Sequence, residues 1–241
     1  MKGMDLFVDI YPIPHQREIC IDHATMEKAV VRVNLDPYAI GKYPVTNGQY
    51  HQFIQETGYF PKDPYEYSHE LFLAHWEKSA TPPKYTTDHP VTFVSYDDAL
   101  AYAEYMGGRL PTVLEWLYAA FATTGSKYPW GEVFSTDRCN VNESNQMGTT
   151  PVGLYSPDGD SPTGCCDMMG NVWEWTSTPF SHDENSFMAM GTGWDHYSSQ
   201  TEIPLDRAYR NHSVGFRVAR DLPVTPAPGI RTEGVPGPFN P

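Results

Sequence analysis

Asp167-Met168-Met169-Gly170-Asn171-Val172-Trp173-Glu174-Trp175 is the stretch on which the reading of this chain turns. Asp167 and Glu174 stand seven residues apart with a Gly-Asn pair between them. A turn at that pair exposes backbone carbonyls, so the stretch offers the hard oxygen donors that a calcium ion takes. It reads equally as an Asx-type turn that delivers Trp173 and Trp175 into a core. The residues alone leave both readings open.

On the N-terminal side three helix starts are legible. Thr46 followed by Gln49 is a capping box, in which each side chain satisfies the other's orphan backbone donor, and Gly58 supplies the stop. Ser95 caps a segment with Asp97 and Asp98 in its first turn, where carboxylates favour the positive dipole end, and Gly107-Gly108 ends it. Thr112 with Glu115 is a second capping box; behind it Leu114, Leu117, Ala120 and Phe121 recur at helical spacing, which predicts that they form the inward face. After Gly125 the chain changes to short segments broken by Pro, Gly, Asn and Asp, so turns dominate. Val30–Leu35 and Ser213–Val218 are the best strand candidates and are expected to pair. The last 21 residues, 221–241, hold six prolines and three glycines and read as an extended tail.

The whole chain has 241 residues, 40% of them hydrophobic, enough for a full core. Thirty acidic against 16 basic residues give a net charge of -14, which argues against nucleic acid and anionic membrane as partners. No apolar run approaches the roughly 18 residues of a membrane helix. Asp5 and Asp9 fall where a secretory signal carries its apolar stretch, so the chain as given is expected to be soluble and cytoplasmic. Aromatics at 14%, with 19 Gly and 22 Pro, suit a loop-rich fold with an aromatic core. Cys20, Cys139, Cys165 and Cys166 form no CxxC pair and read as buried small hydrophobes in a reducing compartment.

Six motifs occur in a fixed order: Tyr43-Pro44-Val45-Thr46-Asn47; His89-Pro90-Val91; Gly108-Arg109-Leu110-Pro111-Thr112 with Glu115-Trp116; Tyr128-Pro129-Trp130-Gly131; the stretch from Asp167 to Trp175; and Gly215-Phe216-Arg217. Together they resemble the formylglycine-generating enzyme (sulfatase-modifying factor) family. The resemblance implies an α+β, loop-rich, formylglycine-generating-enzyme-type variant of the C-type lectin fold. It divides the chain into an N-terminal extension and first strand (1–37), the family domain (38–220) and the Pro/Gly-rich tail (221–241).

The resemblance also implies sites. The family's second calcium site matches Asp167, Gly170, Val172 and Glu174, the Gly and Val through backbone carbonyls. Its first calcium site matches Asn140 and Val141, but the loop to Thr150-Pro151-Val152 is short and Ser144 stands where the family has an acid, leaving Glu143 and Asn145 as substitutes. The family's catalytic pair of copper-binding cysteines aligns with His196 and Thr201. No cysteine follows Cys166, so soft Cu(I) ligation of the family kind is excluded. Leu117 and Phe121 stand at positions usually charged in the family, hinting at an added packing surface or partner contact.

Outside these matches, His69 and His75 lie six apart and fall on different helix faces, a poor metal pair. His182-Asp183-Glu184 reads as a solvated loop. Asp195, His196, Asp206 and His212 include metal-capable side chains, as a non-haem iron site needs, but read first as polar groove residues. Arg207 and Arg210 read as family arginines, with internal ion pairs to core acids as the plainer role.

These readings point to a member without formylglycine-generating activity: a calcium-stabilised, C-type-lectin-like module that binds a protein or small-molecule ligand on loops 191–213. Trp194, Asp195, His196, Tyr197, Ser198, Ser199, Arg210, Asn211 and His212 are the expected surface, a mix of Tyr and short polar groups that suits adaptable contacts. It also looks like the binding surfaces of retroelement-diversified proteins built on this fold. The indole of Trp194 is expected to be core. The alternative is a metal-dependent oxidative enzyme, with iron or copper, similar to cysteine-free family members of ergothioneine and siderophore pathways.

Overall fold

Hydrogen-bonded side-chain caps start the helices where the sequence puts them. The computed structural model describes residues 7–13, 15–22, 27–61, 70–76, 81–180 and 185–223. In it Thr46, Ser95 and Thr112 each accept from the backbone of the residue three further on, and Gln49, Asp98 and Glu115 return the bond. They open α1 (Asn47–Thr57), α2 (Tyr96–Tyr105) and α3 (Val113–Phe121). Gly58 closes α1 at φ 65°, a conformation that costs glycine little.

The strands are β1 (Phe7–Ile10), β2 (His15–Asp22), β3 (Glu27–Val33), β4 (Tyr38–Gly41), β5 (Trp173–Pro179), β6 (Ser186–Gly191), β7 (Glu202–Asp206), β8 (Val214–Gly215) and β9 (Ala219–Asp221). They form three sheets, β1-β4-β9, β2-β3 and β7-β6-β5-β8. The expected pairing of Val30–Leu35 with Ser213–Val218 does not occur. β3 pairs with β2, while β8 runs parallel to β5. The two ends of the domain do meet, one element along, where β4 pairs with β9 through Ile40 and Ala219. The run at 221 accordingly starts in a strand; residues 224–241 lie outside the described residues.

Two apolar clusters fill the interior. One gathers Tyr50, Phe53, Tyr102, Trp173, Trp175 and Phe216 between α1, α2 and the four-stranded sheet. The other gathers Tyr38, Ile40, Trp116, Met168 and Met190 between α3 and the first sheet. Aromatic residues carry most of this burial, each removing roughly 150–250 Å² from water, or roughly 4–6 kcal/mol of transfer free energy at ~25 cal/mol per Å². Two of the buried indoles find partners, Trp175 Nε1 donating to Val94 O at 3.0 Å and Trp116 Nε1 to Glu174 Oε2 at 2.7 Å, whereas Trp173 Nε1 is buried without one.

On α3 the predicted inward face is wrong in part. Glu115, Trp116, Ala119 and Ala120 are buried, whereas Leu114, Leu117 and Phe121 are only half-buried. Glu115 goes inside because Arg109 grips both its oxygens, at 2.8 and 2.6 Å. Cys139, Cys165 and Cys166 are buried and free, as read, and burial pushes the Cys139 and Cys166 thiols up to about 12. Among the described residues no helix is long and apolar enough to cross a membrane.

Candidate functional site

The loop between β6 and β7 is built on a pinched base. Gly191 N donates to Thr201 O at 3.0 Å and Thr192 Oγ1 to Gln200 O at 2.5 Å. Gly191 sits at φ 93°, a backbone that side chains resist. Two further ties hold the loop to the 3₁₀ turn Asn142–Ser144. Asn142 N donates to His196 O at 3.0 Å, and the Glu143 carboxylate accepts from Ser198 N at 3.0 Å and Ser198 Oγ at 2.8 Å. Glu143 therefore anchors the loop, a role with no local signal because 55 residues separate the partners.

Above that base Asp195 joins two imidazoles. Its Oδ1 lies 2.8 Å from His196 Nδ1 and its Oδ2 3.0 Å from His212 Nε2. Burial works against the charged carboxyl, but hydrogen bonds from His196 and Ser213 outweigh it and hold Asp195 below the usual carboxylate range. An acceptor on each of these nitrogens leaves His196 Nε2 and His212 Nδ1 as the ring nitrogens not engaged by Asp195. The His196 ring meets Trp173 edge-on at 5.4 Å, and His212 lies against Trp194 at 5.2 Å and Phe93 at 6.3 Å. Phe93 belongs to this site and was not read from the sequence; its positive φ of 56° has no local sequence cue. Tyr197 is 60% exposed, with Ser199 exposed beside it.

One expected surface residue is elsewhere, and one residue expected in the core is not there. Arg210 is fully buried: its Nε donates to Asp98 Oδ2 at 2.7 Å, Nη2 reaches Ser95 Oγ at 3.3 Å, and its guanidinium lies 5.7 Å from the Phe72 ring. A buried carboxylate needs a paired cation, and this arginine is it. Trp194 is not core. It is half-buried, its Nε1 3.4 Å from His212 O, so it belongs to the loop surface. Asn211 folds into its own turn, its Oδ1 accepting from Ser213 N at 3.1 Å and its Nδ2 donating to Tyr209 Oη at 2.9 Å. Arg207 is a surface partner of Asp97, and Asp206 caps Ala208 N. His75 packs on Phe93, 5.4 Å away; His69 and His182-Asp183-Glu184 lie outside the described residues.

Whether the residues fit a calcium ion is decided by donors. Glu174 does not fit: Arg217 Nε and Nη2 bind its two oxygens at 2.6 Å each, and Trp116 shares one of them. Nearby, however, three segments converge. Asn171 N donates to Asn140 O at 2.6 Å, Thr150 N to Asn171 Oδ1 at 2.9 Å, and Gly153 N to Asp167 Oδ2 at 2.6 Å. Asn140 Oδ1 and Thr150 Oγ1 are buried there without partners, and buried polar atoms rarely stay so. Asp167, Asn171 and Gly170 all have positive φ, which curls the Gly170 and Val172 region tightly around this junction. Asn140 Oδ1 and Thr150 Oγ1 are the hard oxygen donors left open at this junction, and the Asp167 carboxylate is held on Gly153 N; Val141 O is already taken by Ser144 N at 2.8 Å. Glu143, on Ser198, is not part of that set, and Asn145 is exposed, its Nδ2 on Glu143 O at 3.3 Å. No group of three or more His, Cys, Asp or Glu suited to a metal occurs among the described residues.

With the fold and this geometry in hand, comparison with known proteins gives the class. The sulfatase-modifying factor enzyme 1-like domain model matches residues 15–222, and the chain belongs to that family. It is similar to hercynine oxygenase of Mycobacterium tuberculosis, 35% identical over 61% of this chain and 39% of that protein. It is similar also to inactive C-alpha-formylglycine-generating enzyme 2 of Bos taurus, 29% identical over 70% and 69% of the two chains. The chain spans 48% of the length of YfmG, a Bacillus subtilis relative 29% identical over 80% of this chain. The structure of PvdO from Pseudomonas aeruginosa superposes with a TM-score of 0.66 at 22% identity, covering 90% of this chain and 94% of that one. The family thus holds proteins named as enzymes and proteins named as inactive, on one loop-rich α+β fold.

Proposed function

We propose that this protein is a ligand-binding member of the family, with its binding surface on loops 191–213 and no formylglycine-generating activity. The observation that carries the reading is the loop itself. It presents Tyr197, Ser199 and His212 outward while its base is fixed by Thr192, Glu143 and Asp195. A rigid base under an exposed aromatic and short polar groups limits the ordering cost of binding. The positions that match the family's cysteine pair are His196 and Thr201, and thiolate chemistry requires thiolates. The ligand is a protein or a small molecule; the net charge of -14 disfavours nucleic acid and anionic membrane.

Calcium is part of this reading as a stabiliser. When bound, it supplies charge to the oxygens of Asn140, Thr150 and Asp167 and so ties the 140, 150 and 167 segments together. The test is pull-down or titration of ligands against the wild type and Tyr197→Ala, with loss of binding at unchanged fold expected.

One observation favours a second reading, an oxidative enzyme using iron or copper. A carboxylate that orients an imidazole by its far nitrogen is the usual support for a metal-bound histidine, and Asp195 does this for two. Metal content distinguishes the readings.

A further inference from the structure

We propose that the groove between the C-terminal ends of α1 and α2 binds a small quaternary ammonium compound, a choline-like cation free in solution. Phe53, Tyr59, Phe60 and Tyr105 line it together with Ala101 and Glu104, and it holds about 720 Å³. That volume is in the range of ligand clefts and leaves room for substituents on the ammonium head. Among the described residues none of loops 191–213 lines it, so the site does not rest on the ligand surface there.

The hydroxyl donors of the groove are already engaged. Tyr59 Oη donates to Asp98 Oδ1 at 2.9 Å, Thr57 Oγ1 to Phe53 O at 2.7 Å, and Tyr105 Oη to a Glu56 carboxylate oxygen. A carboxylate or phosphate therefore finds no side-chain donor here, and no Lys, Arg or His lines the groove among the described residues. What stays open is one anion and a set of rings. The Glu104 carboxylate is exposed and makes no hydrogen bond or ion pair with the described residues. Phe53 stands 5.1 Å from Tyr59 and 5.2 Å from Tyr105, centroid to centroid. Rings this close can share one cation, whose attraction to each reaches to roughly 6 Å. Two helix ends add to the field, because Thr57 and Gly58 close α1 while Glu104 and Tyr105 close α2, and the C-terminal end of a helix carries partial negative charge. The net charge of -14 has the same sign. A primary ammonium would give up the hydration of three N–H groups for one carboxylate. A quaternary head has no N–H to satisfy, and its methyl groups pack on the rings.

The test is isothermal titration of the full chain with choline and tetramethylammonium, beside ethanolamine, glycine betaine and 3,3-dimethyl-1-butanol, the uncharged isostere of choline. Saturable binding of choline or tetramethylammonium is expected, about tenfold tighter than that of the isostere or of ethanolamine. Glycine betaine should bind more weakly than choline, because its carboxylate meets Glu104. Glu104→Gln, Tyr105→Leu and Phe60→Leu, all at exposed positions, should each weaken binding about fivefold. Glu104→Lys should abolish it with the circular dichroism spectrum intact, and Tyr197→Ala should change nothing, which separates this site from the loop surface. No binding of choline or tetramethylammonium up to millimolar concentration overturns the proposal. So does the isostere binding as tightly as choline, or binding that persists in a folded Glu104→Lys protein. Binding to phosphatidylcholine vesicles without binding of free choline would make the ligand a lipid headgroup and overturn it as well.

Discussion

Arg217 donates to both carboxylate oxygens of Glu174, at 2.6 Å through Nε and 2.6 Å through Nη2, with both side chains buried. The arginine also donates to Gly41 O at 2.9 Å and Cys166 O at 3.0 Å, so one guanidinium ties β4, the 166 turn and β5 together. Glu174→Gln leaves that cation uncompensated, and breaking a buried pair typically costs about 3–5 kcal/mol. Chemical denaturation should show a loss of that order, the same with calcium and with chelator. A loss confined to calcium-loaded protein would return Glu174 to the metal site.

Asp167 is where calcium dependence should reside. Chelation is expected to lower the melting temperature, since an ion bound only to the native state stabilises it by mass action, roughly 2.7 kcal/mol at a hundredfold excess over the dissociation constant. Asp167→Asn should remove most of that response. Identical melting curves in calcium and in chelator would show that Asn140 Oδ1 and Thr150 Oγ1 are satisfied by water instead.

His75 sets a pH dependence of stability. Trp76 Nε1 donates to its Nε2 at 3.0 Å, its Nδ1 is buried without a partner, and burial lowers its pKa to about 4. A depressed folded pKa means that the unfolded chain takes the proton first. The contribution is therefore complete above the unfolded value of about 6.5 and is lost as pH falls toward 4. Denaturation midpoints measured from pH 7.5 to 4 should fall less steeply in His75→Gln than in the wild type; parallel curves would remove His75 from the account.

The indoles divide surface from scaffold. Trp173→Ala should destabilise by about 3–5 kcal/mol, because its ring is 1% exposed in the core. Tyr197→Ala should stay within about 0.5 kcal/mol while weakening ligand binding. Trp194→Ala, half-buried against His212, should cost less than Trp173→Ala. Urea denaturation of the three variants checks the order.

What was legible in the sequence is what is local. The caps at Thr46, Ser95 and Thr112 rest on contacts three residues apart and each forms as read, with Asp98 adding a return bond that makes a capping box at Ser95 as well. The motif order carried the family and the fold. Arg210 forms the internal ion pair that was its plainer reading, with Asp98 112 residues away; what fails is its place among the loop-surface residues. The face of α3 was misjudged because periodicity treats Leu117 as more inward than Glu115, and only the grip of Arg109 reverses them. Strand partners likewise depend on long-range closure: Val30–Leu35 met its sequence neighbour β2, and the domain's ends were joined by β4 and β9 instead.

Absence of the family's oxidation should be direct to see. Incubated with a cysteine-containing sulfatase-type peptide and copper, the protein should leave the peptide mass unchanged, since no cysteine follows Cys166 and the proposed reading puts His196 and Thr201 at the thiolate positions. Conversion of the peptide cysteine would overturn that.

Elemental analysis of the purified protein, paired with oxygen uptake, tests the central claim most directly. A binding module on loops 191–213 predicts calcium without stoichiometric iron or copper, and no oxygen consumption. Stoichiometric iron or copper that is lost in His196→Ala and His212→Ala, together with oxygen uptake, would contradict it and make the imidazoles on Asp195 the ligands of an oxidative enzyme.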